Sequence, residues 1–113
     1  MTKLTLNYYQ DPGHGWAKIH KNWLELLGIA DKISRYSYMR KNYAYLEEDC
    51  DLSLLFEAAK ALDITVKLRE YNCNKSSKIR SYDNYKYQNP NTVIGFMQHL
   101  KDNGKIEFIT IGG

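Results

Sequence analysis

The segment Asp11-Pro12-Gly13-His14-Gly15 places a carboxylate three residues from an imidazole. Histidine is the natural general base near neutral pH, and glycines allow a ligand to approach the backbone. The same residues are also typical of a tight turn, because Asp and Pro start turns and Gly tolerates positive φ. No Gly-Lys-Ser/Thr follows, which excludes a P-loop. The pattern favours the turn over a catalytic Asp–His pair.

A second candidate is an acidic cluster at a strand-to-helix junction. Its members are Glu47, Glu48, Asp49 and Asp51. Together with Asp11 and His14, these carboxylates could form the Mg²⁺ site of a nuclease or hydrolase. Side-chain alternation, however, sends Glu47 and Glu48 to opposite faces of a strand, and Asp51 turns into the helix. We therefore expect helix capping and solvated charge here, with no metal, no cofactor, no catalytic residue and no enzymatic activity.

The third candidate is segment 75–87, which mixes basic residues with three tyrosines. Lys and Arg neutralise phosphates, and tyrosine rings stack on unpaired bases. The same composition suits a protein interface, where Tyr and Arg dominate hot spots, and it also suits a polar loop whose tyrosines lie on the sheet. We predict a binding hot spot at Lys78, Arg80, Tyr82 and Tyr85, and the two tyrosines can share a face if the segment takes a helical turn on binding.

Residues 35–48 form the clearest predicted hairpin, with Lys41-Asn42 at the turn and Asn42 in the left-handed conformation. The register pairs Arg40 with Tyr43, Tyr38 with Tyr45, and Tyr36 with Glu47. One face is a predicted binding surface made of Tyr36, Tyr38, Arg40, Tyr43 and Tyr45. The other face carries Met39, Ala44 and Leu46, which are small or apolar, so we place it against the core.

The remaining elements follow from hydrophobic periodicity. Alternation predicts strands over 2–9, 16–19 and 64–69, and helical spacing predicts helices over 22–27 and 51–62, the second capped by Asp49 or Asp51. Residues 88–113 predict a further helix and strand, either within the sheet or as an extension of it. The expected fold is α+β: one domain over 1–113, with a mostly antiparallel sheet of five or six strands and two or three helices mainly on one face.

Composition sets broad limits on function. The 113 residues carry a net charge of +3, which permits a polyanionic partner without requiring one. No apolar run approaches the ~18 residues of a membrane span, so no membrane partner is expected. Cys50 and Cys73 lack a C-x-x-C spacing, which indicates free thiols and a cytoplasmic location. Carboxylates beside Cys50 raise the pKa of its thiol, so we expect Cys50 to be a buried residue rather than a nucleophile.

Three stretches together resemble a set of small proteins encoded by phages and other mobile elements. They are Asp11 to Trp16, the run from Ile33 to Asp51, and Ile79-Arg80-Ser81-Tyr82. The resemblance covers residues 4–87 and carries no catalytic residue over to this chain. It implies a genomic setting in which small single-domain proteins are often inhibitors of host systems, including anti-CRISPR and anti-restriction proteins.

The sequence therefore predicts a small non-enzymatic binding or inhibitor protein with a surface rich in tyrosine and arginine. The expected partner is a host protein or a protein–nucleic acid complex. One alternative is direct binding of RNA or DNA through segment 75–87. The other is a metal-dependent nuclease or hydrolase that uses Asp11, His14 and the acidic cluster. The sequence predicts no oligomeric state.

Overall fold

The computed structural model describes residues 2–87, and the predicted helix and strand of 88–113 lie outside this range. The described chain forms one six-stranded sheet with two α-helices and one 3₁₀ turn. The elements are β1 (Thr2–Gln10), β2 (Gly15–His20), α1 (Lys21–Leu26), β3 (Tyr38–Arg40), β4 (Tyr43–Glu47), α2 (Leu52–Ala61), β5 (Ile64–Asn72), the 3₁₀ turn (Lys78–Ser81) and β6 (Asp83–Asn84). The predicted α+β fold class is confirmed.

The strand order across the sheet is β5-β1-β2-β4-β3-β6. Every neighbouring pair is antiparallel except β1 and β5, which run parallel. A parallel pair requires a long connection that crosses the sheet, and the chain between β1 and β5 supplies it. The prediction of a mostly antiparallel sheet is therefore confirmed, with one parallel pair at the β5 side.

Both helices pack on one face of the sheet, where they cover the main hydrophobic core. The strand side chains of this core alternate as predicted, because residues two apart point to the same face. The core includes Leu6, Ala17, Ile19, Ala44, Leu46 and Ile64 from the strands, Leu24 from α1, and Leu52, Leu55 and Ala59 from α2. Phe56 of α2 and Leu62, the residue that follows this helix, are exposed.

The predicted β3–β4 hairpin is confirmed in its pairing and its core face. Tyr38 pairs with Tyr45 and Arg40 with Tyr43, while Leu46 is fully buried. Two details were wrong. Lys41, rather than Asn42, takes the left-handed conformation, with φ of 54°. Tyr36 precedes β3, and Glu47 pairs instead with Trp16 of β2.

The opposite face of the sheet receives no helix from residues 2–87, and we call it the helix-free face. All buried residues of α1 and α2 belong to the core on the other side. The strand side chains on the helix-free face are mostly basic, aromatic or small and polar. They are Lys3, Thr5, Asn7, Tyr9, Trp16, Lys18, His20, Tyr38, Arg40, Tyr43, Tyr45, Glu47, Thr65, Lys67, Arg69, Tyr71 and Asn84.

The 3₁₀ turn covers one end of the helix-free face. Ile79 of this turn packs against Trp16 and Tyr45, and the three form a second, smaller hydrophobic cluster. Tyr9, Tyr38 and Tyr82 pack around it, partly buried. This cluster fixes the 3₁₀ turn on the sheet and so positions the residues of the candidate site.

Candidate functional site

The site is organised by an ion pair between Asp11, at the end of β1, and Arg80 of the 3₁₀ turn. Arg80 donates from Nε to Oδ2 at 2.7 Å and from Nη2 to Oδ1 at 2.9 Å. The same carboxylate accepts the backbone N–H groups of Gly13, His14 and Ser77. The Arg80 guanidinium, together with these N–H donors, holds the pKa of Asp11 well below its usual range.

Asp11 is therefore a structural residue, as the turn interpretation predicted. Its side chain is fully covered, and all its acceptor positions face donors. A carboxylate held in this way is a poor proton acceptor. The hypothesis of Asp11 as a catalytic carboxylate, or as a metal ligand, thus finds no support in the geometry.

Arg80 was predicted to be a binding hot spot, and the structure shows that its guanidinium is already paired within the chain. Two of its nitrogens are bound to Asp11, and its guanidinium carbon lies 5.3 Å from the centroid of the Trp16 ring. The side chain is still about a third exposed, and Nη1 lies outside the ion pair. The fork is thus locked in one orientation while its remaining nitrogen is available to a ligand. Lys78, in the same turn, is exposed.

The prediction that Tyr82 and Tyr85 share a face was wrong. Tyr85 lies in the helix-covered core, and its hydroxyl donates to the carbonyl oxygen of Ala30 at 2.6 Å. Its burial raises its pKa to about 12, which keeps the hydroxyl protonated. Tyr82 lies on the helix-free face of the sheet, with its ring centroid 5.1 Å from that of Tyr45. The chain leaves the 3₁₀ turn in extended conformation, and so these tyrosines separate.

The tyrosines predicted on the hairpin differ in exposure. Tyr36 is 66% exposed and Tyr43 38%, while Tyr38 is half-buried. Tyr45 was predicted to be a contact residue, but only 7% of it is exposed because Tyr82 covers it. Burial raises the pKa of Tyr45 to about 12. Arg40 is exposed and lies 5.1 Å from the Tyr82 ring centroid, and so remains available to a ligand.

His14 pairs directly with Glu47, whereas the sequence had grouped these residues only as members of a possible metal site. Nδ1 of His14 lies 3.0 Å from Oε1 of Glu47, which is buried. Oε2 of Glu47 accepts the backbone N–H groups of Asp49 at 2.8 Å and Cys50 at 2.9 Å. The carboxylate is thereby fixed from two sides, and it orients the imidazole so that Nε2 points away from it.

The other acidic residues diverge, as strand alternation predicted. Glu48 accepts a hydrogen bond from the hydroxyl of Tyr8. Asp51 is buried and accepts hydrogen bonds from Ser34 and Ser37. Asp51 occupies the N-cap position of α2, as predicted, but its side chain makes no capping hydrogen bond to the helix. Asp51 instead ties the segment before β3 to the start of α2.

Cys50 was predicted to be buried, but it is exposed. Partial loss of water around the thiol, and then the Glu47 carboxylate, raise the pKa of Cys50. A raised pKa reduces the thiolate fraction at neutral pH, and the thiolate is the reactive form. Cys50 is therefore exposed, as a reactive thiol would be, but its raised pKa disfavours the reactive thiolate form.

Among residues 2–87, His14, Glu47 and Asp49 are the set that offers metal-ligand atoms within 4.8 Å of one another. Both oxygens of Glu47 are already engaged, one by His14 and the other by two backbone N–H groups. A cation at this position would have to replace the contact between His14 and Glu47. The arrangement fits an imidazole–carboxylate pair better than a metal centre.

These residues surround an open cavity of about 210 Å³ at the end of the helix-free face. Its lining is His14, Trp16, Tyr36, Tyr38, Glu47, Asp49, Cys50 and Arg80. Trp16 is 1% exposed, and its Nε1–H donates no hydrogen bond to any described residue.

The rest of the helix-free face is positively charged. Glu47 is the single acidic strand residue on it between residues 2 and 87, and it is buried against His14. The basic residues are Lys3, Lys18, Arg40, Lys67 and Arg69. A shallow groove at the β1–β5 side is lined by Lys3, Lys67 and Arg69, with Thr5 and Leu68. This face thus presents cations from one edge to the other.

Aromatic rings lie between these cations. Nζ of Lys18 is 4.4 Å from the centroid of the Tyr43 ring, and Tyr9 stacks on Tyr71 with centroids 5.5 Å apart. Cation–π contacts hold the basic groups near the rings while leaving their outer sides to solvent. The face therefore combines phosphate-binding groups with ring surfaces that can stack on a base.

Comparison of the chain with protein-family models, with curated proteins and with solved structures found no match. No helix within the described range is both long enough and apolar enough to cross a membrane. Function is therefore argued from the chemistry of the site.

Proposed function

We propose that this protein binds single-stranded nucleic acid across the helix-free face of its sheet. The observation that carries the proposal is the interleaving of exposed Lys and Arg side chains with tyrosines on a sheet face that the helices leave open. Phosphates provide the charge that this surface requires, and unpaired bases provide the flat surfaces that tyrosines stack on.

The spacing of the cations favours a polymer over a mononucleotide. Arg69 on β5 and Arg40 on β3 are separated by four inter-strand steps, or about 19 Å at the usual strand spacing. Lys18 on β2 lies between them. A ligand that contacts all three must carry several negative charges along its length, as a nucleic acid backbone does.

A single strand fits this face better than a duplex. The sheet offers rings of Tyr9, Tyr43 and Tyr71, and stacking on a ring requires a base that is not already stacked on its neighbours. In a duplex both faces of each base are covered, so the tyrosines would contribute little. We expect RNA and single-stranded DNA to bind more tightly than duplex DNA of the same length.

The binding surface differs from the one that the sequence predicted. Segment 75–87 contributes Arg80 and Tyr82, but Tyr85 is in the core, and the strands supply most of the charge. A host protein or protein–nucleic acid complex as partner, the inhibitor role that the resemblance implies, and the absence of catalysis all stay predictions. The exposed free thiols Cys50 and Cys73 are consistent with a cytoplasmic location.

The test is fluorescence anisotropy with labelled 12-nucleotide RNA, single-stranded DNA and duplex DNA over a range of salt concentrations. Each phosphate neutralised on a single strand adds about 0.7 to the slope of log affinity against log salt. Arg69→Ala and Arg40→Ala should each weaken binding and lower that slope by about 0.7. Lys60→Ala, on the exposed side of α2, is the matched control and should change neither quantity.

Two outcomes would contradict the proposal. One is an affinity that does not depend on salt, since phosphate contacts release counterions. The other is an equal loss in Lys60→Ala and Arg69→Ala, which would indicate net charge rather than a defined surface. Salt-independent capture of a host protein through Tyr36 and Arg40 would favour the protein partner instead.

A further inference from the structure

The pair formed by His14 and Glu47 lies where a strand bound on the helix-free face would meet the cavity. Glu47 is held by two backbone N–H groups and holds Nδ1 of the imidazole. Nε2 of His14 makes no hydrogen bond to another residue in the range 2–87, and the side chain is 45% exposed. An imidazole that is oriented by a buried carboxylate and open on its other side has the geometry of a general base.

The cavity also contains a donor suited to a phosphate group. Arg80 retains Nη1 outside its ion pair with Asp11. The guanidinium does not have to reorganise, because Asp11 fixes its orientation. Donors fixed in advance around a phosphate stabilise the charge that develops on its oxygens during substitution.

From this geometry we propose that the protein cleaves bound RNA at the cavity, with His14 as the general base. The inference rests on the proposed binding of nucleic acid and adds a reaction to it. It also departs from the sequence-based prediction of a non-enzymatic protein. RNA is the substrate class, because its 2′-hydroxyl supplies a nucleophile within the strand and no metal-bound water is required.

The reaction is an intramolecular substitution at phosphorus. Nε2 of His14 takes the proton of the 2′-hydroxyl while the O2′–P bond forms and the P–O5′ bond breaks. The leaving 5′-oxygen receives a proton from the imidazolium, directly or through a water molecule. The products are a 2′,3′-cyclic phosphate and a 5′-hydroxyl, and no oxidant, reductant or co-reactant is consumed. Arg80 contacts the phosphate oxygens, and Glu47 is a positioning residue that orients His14.

The assay follows a 5′-labelled 12-nucleotide RNA under single-turnover conditions in EDTA, with the products resolved by gel and mass. We expect cleavage with a cyclic phosphate end, and no cleavage of the same sequence made with 2′-deoxyribose. His14→Gln should slow cleavage at least ~100-fold, the usual contribution of a general base. It should leave the affinity for the 2′-deoxy strand unchanged, because the glutamine amide can keep the contact with Glu47.

Glu47→Gln tests the positioning role. It should lower kcat with little change in KM, and its melting temperature, measured in parallel, shows whether the fold is retained. Glu47→Asp, which restores the charge, should recover part of the rate, which a merely structural role would not predict. Lys60→Ala, on the exposed side of α2 and away from the cavity, is the control, and its cleavage rate should equal that of the wild type.

Several results would overturn the inference while leaving the proposed function intact. These are binding without cleavage, cleavage that persists in His14→Gln, and cleavage that requires a divalent cation and is lost in Asp49→Asn. The last would replace the imidazole mechanism by a metal centre at His14, Glu47 and Asp49. Failure of both RNA and its 2′-deoxy analogue to bind would refute the proposed function itself.

Discussion

Replacing Asp11 by alanine should destabilise the fold by about 3 kcal/mol. The carboxylate accepts five hydrogen bonds, two from Arg80 and three from backbone N–H groups of Gly13, His14 and Ser77. A hydrogen bond contributes a net ~0.5–1.5 kcal/mol, and breaking a buried ion pair costs about 3–5 kcal/mol. We take the lower end because Gly13 and His14 are exposed and Arg80 partly so, which lets water replace part of the loss.

The measurement is urea unfolding followed by tryptophan fluorescence, with the free energy of unfolding obtained by linear extrapolation. Trp16 lies against Arg80, so its emission reports the region that the mutation disturbs. Arg80→Ala should cost less than Asp11→Ala, because Asp11 would keep its three backbone donors. Asp49→Ala removes an exposed carboxylate from the same region and should stay within about 0.5 kcal/mol of the wild type.

The result that would refute this reasoning is a loss of less than about 1 kcal/mol in Asp11→Ala, the contribution of a single ordinary hydrogen bond. It would mean that the turn at residues 11–15 and the 3₁₀ turn stay together without the ion pair. The small cluster of Trp16, Tyr45 and Ile79 would then be the main link between them.

Three further predictions concern stability. Leu46→Ala should lower the free energy of unfolding, measured in urea, by about 2–5 kcal/mol because Leu46 is fully buried. Tyr36→Ala, at an exposed residue, should change this free energy little, and equal losses in the two variants would reverse the assignment of the core face. Tyr85→Phe should cost about 1–3 kcal/mol, since it leaves the Ala30 carbonyl unpaired, without altering the affinity for RNA; reduced affinity with unchanged stability would return Tyr85 to the binding surface. The pKa of Asp11 is lower in the folded than in the unfolded chain, so its stabilisation is present above about pH 4 and is lost as the pH falls towards the folded pKa. As the pH falls, the free energy of unfolding should therefore decrease more steeply for the wild type than for Asp11→Asn. Equal slopes would show that protonation of Asp11 is not linked to unfolding.

The sequence predicted most of the fold because strand faces are local properties. Alternation over two residues is sufficient to assign Ala44 and Leu46 to the core face, and the turn fixes the register of the hairpin. The position of Tyr85 depends instead on the 3₁₀ turn and on the pairing of the short β6 with β3. Neither element is long enough to show a periodic pattern, so Tyr85, which is buried, was predicted to lie on the surface.

The candidate site was predicted in pieces but not as a unit. The metal-site hypothesis grouped Asp11 and His14 with the acidic cluster, and Arg80 was predicted separately. The structure instead pairs Asp11 with Arg80 and His14 with Glu47 beside one cavity. Arg80 lies 69 positions from Asp11, and Glu47 lies 33 positions from His14. Such pairs form only after strand pairing brings distant segments together. Composition could identify an available arginine but not the carboxylate that holds it.

The parallel pairing of β1 with β5 has a consequence for the order of folding. Each residue of β1 pairs with the residue 62 positions later, from Thr2 with Ile64 to Gln10 with Asn72. The antiparallel strands β1 to β4 precede β5 in the chain and can pair before it is synthesised, whereas β5 must wait until α2 has formed and crossed the sheet. Contacts so distant in sequence slow folding, and we expect the docking of β5 to be the late step. Until then the outer edge of β1 presents unpaired backbone groups, so a nascent or truncated chain that ends before Ile64 is the form most prone to pair with another copy of itself.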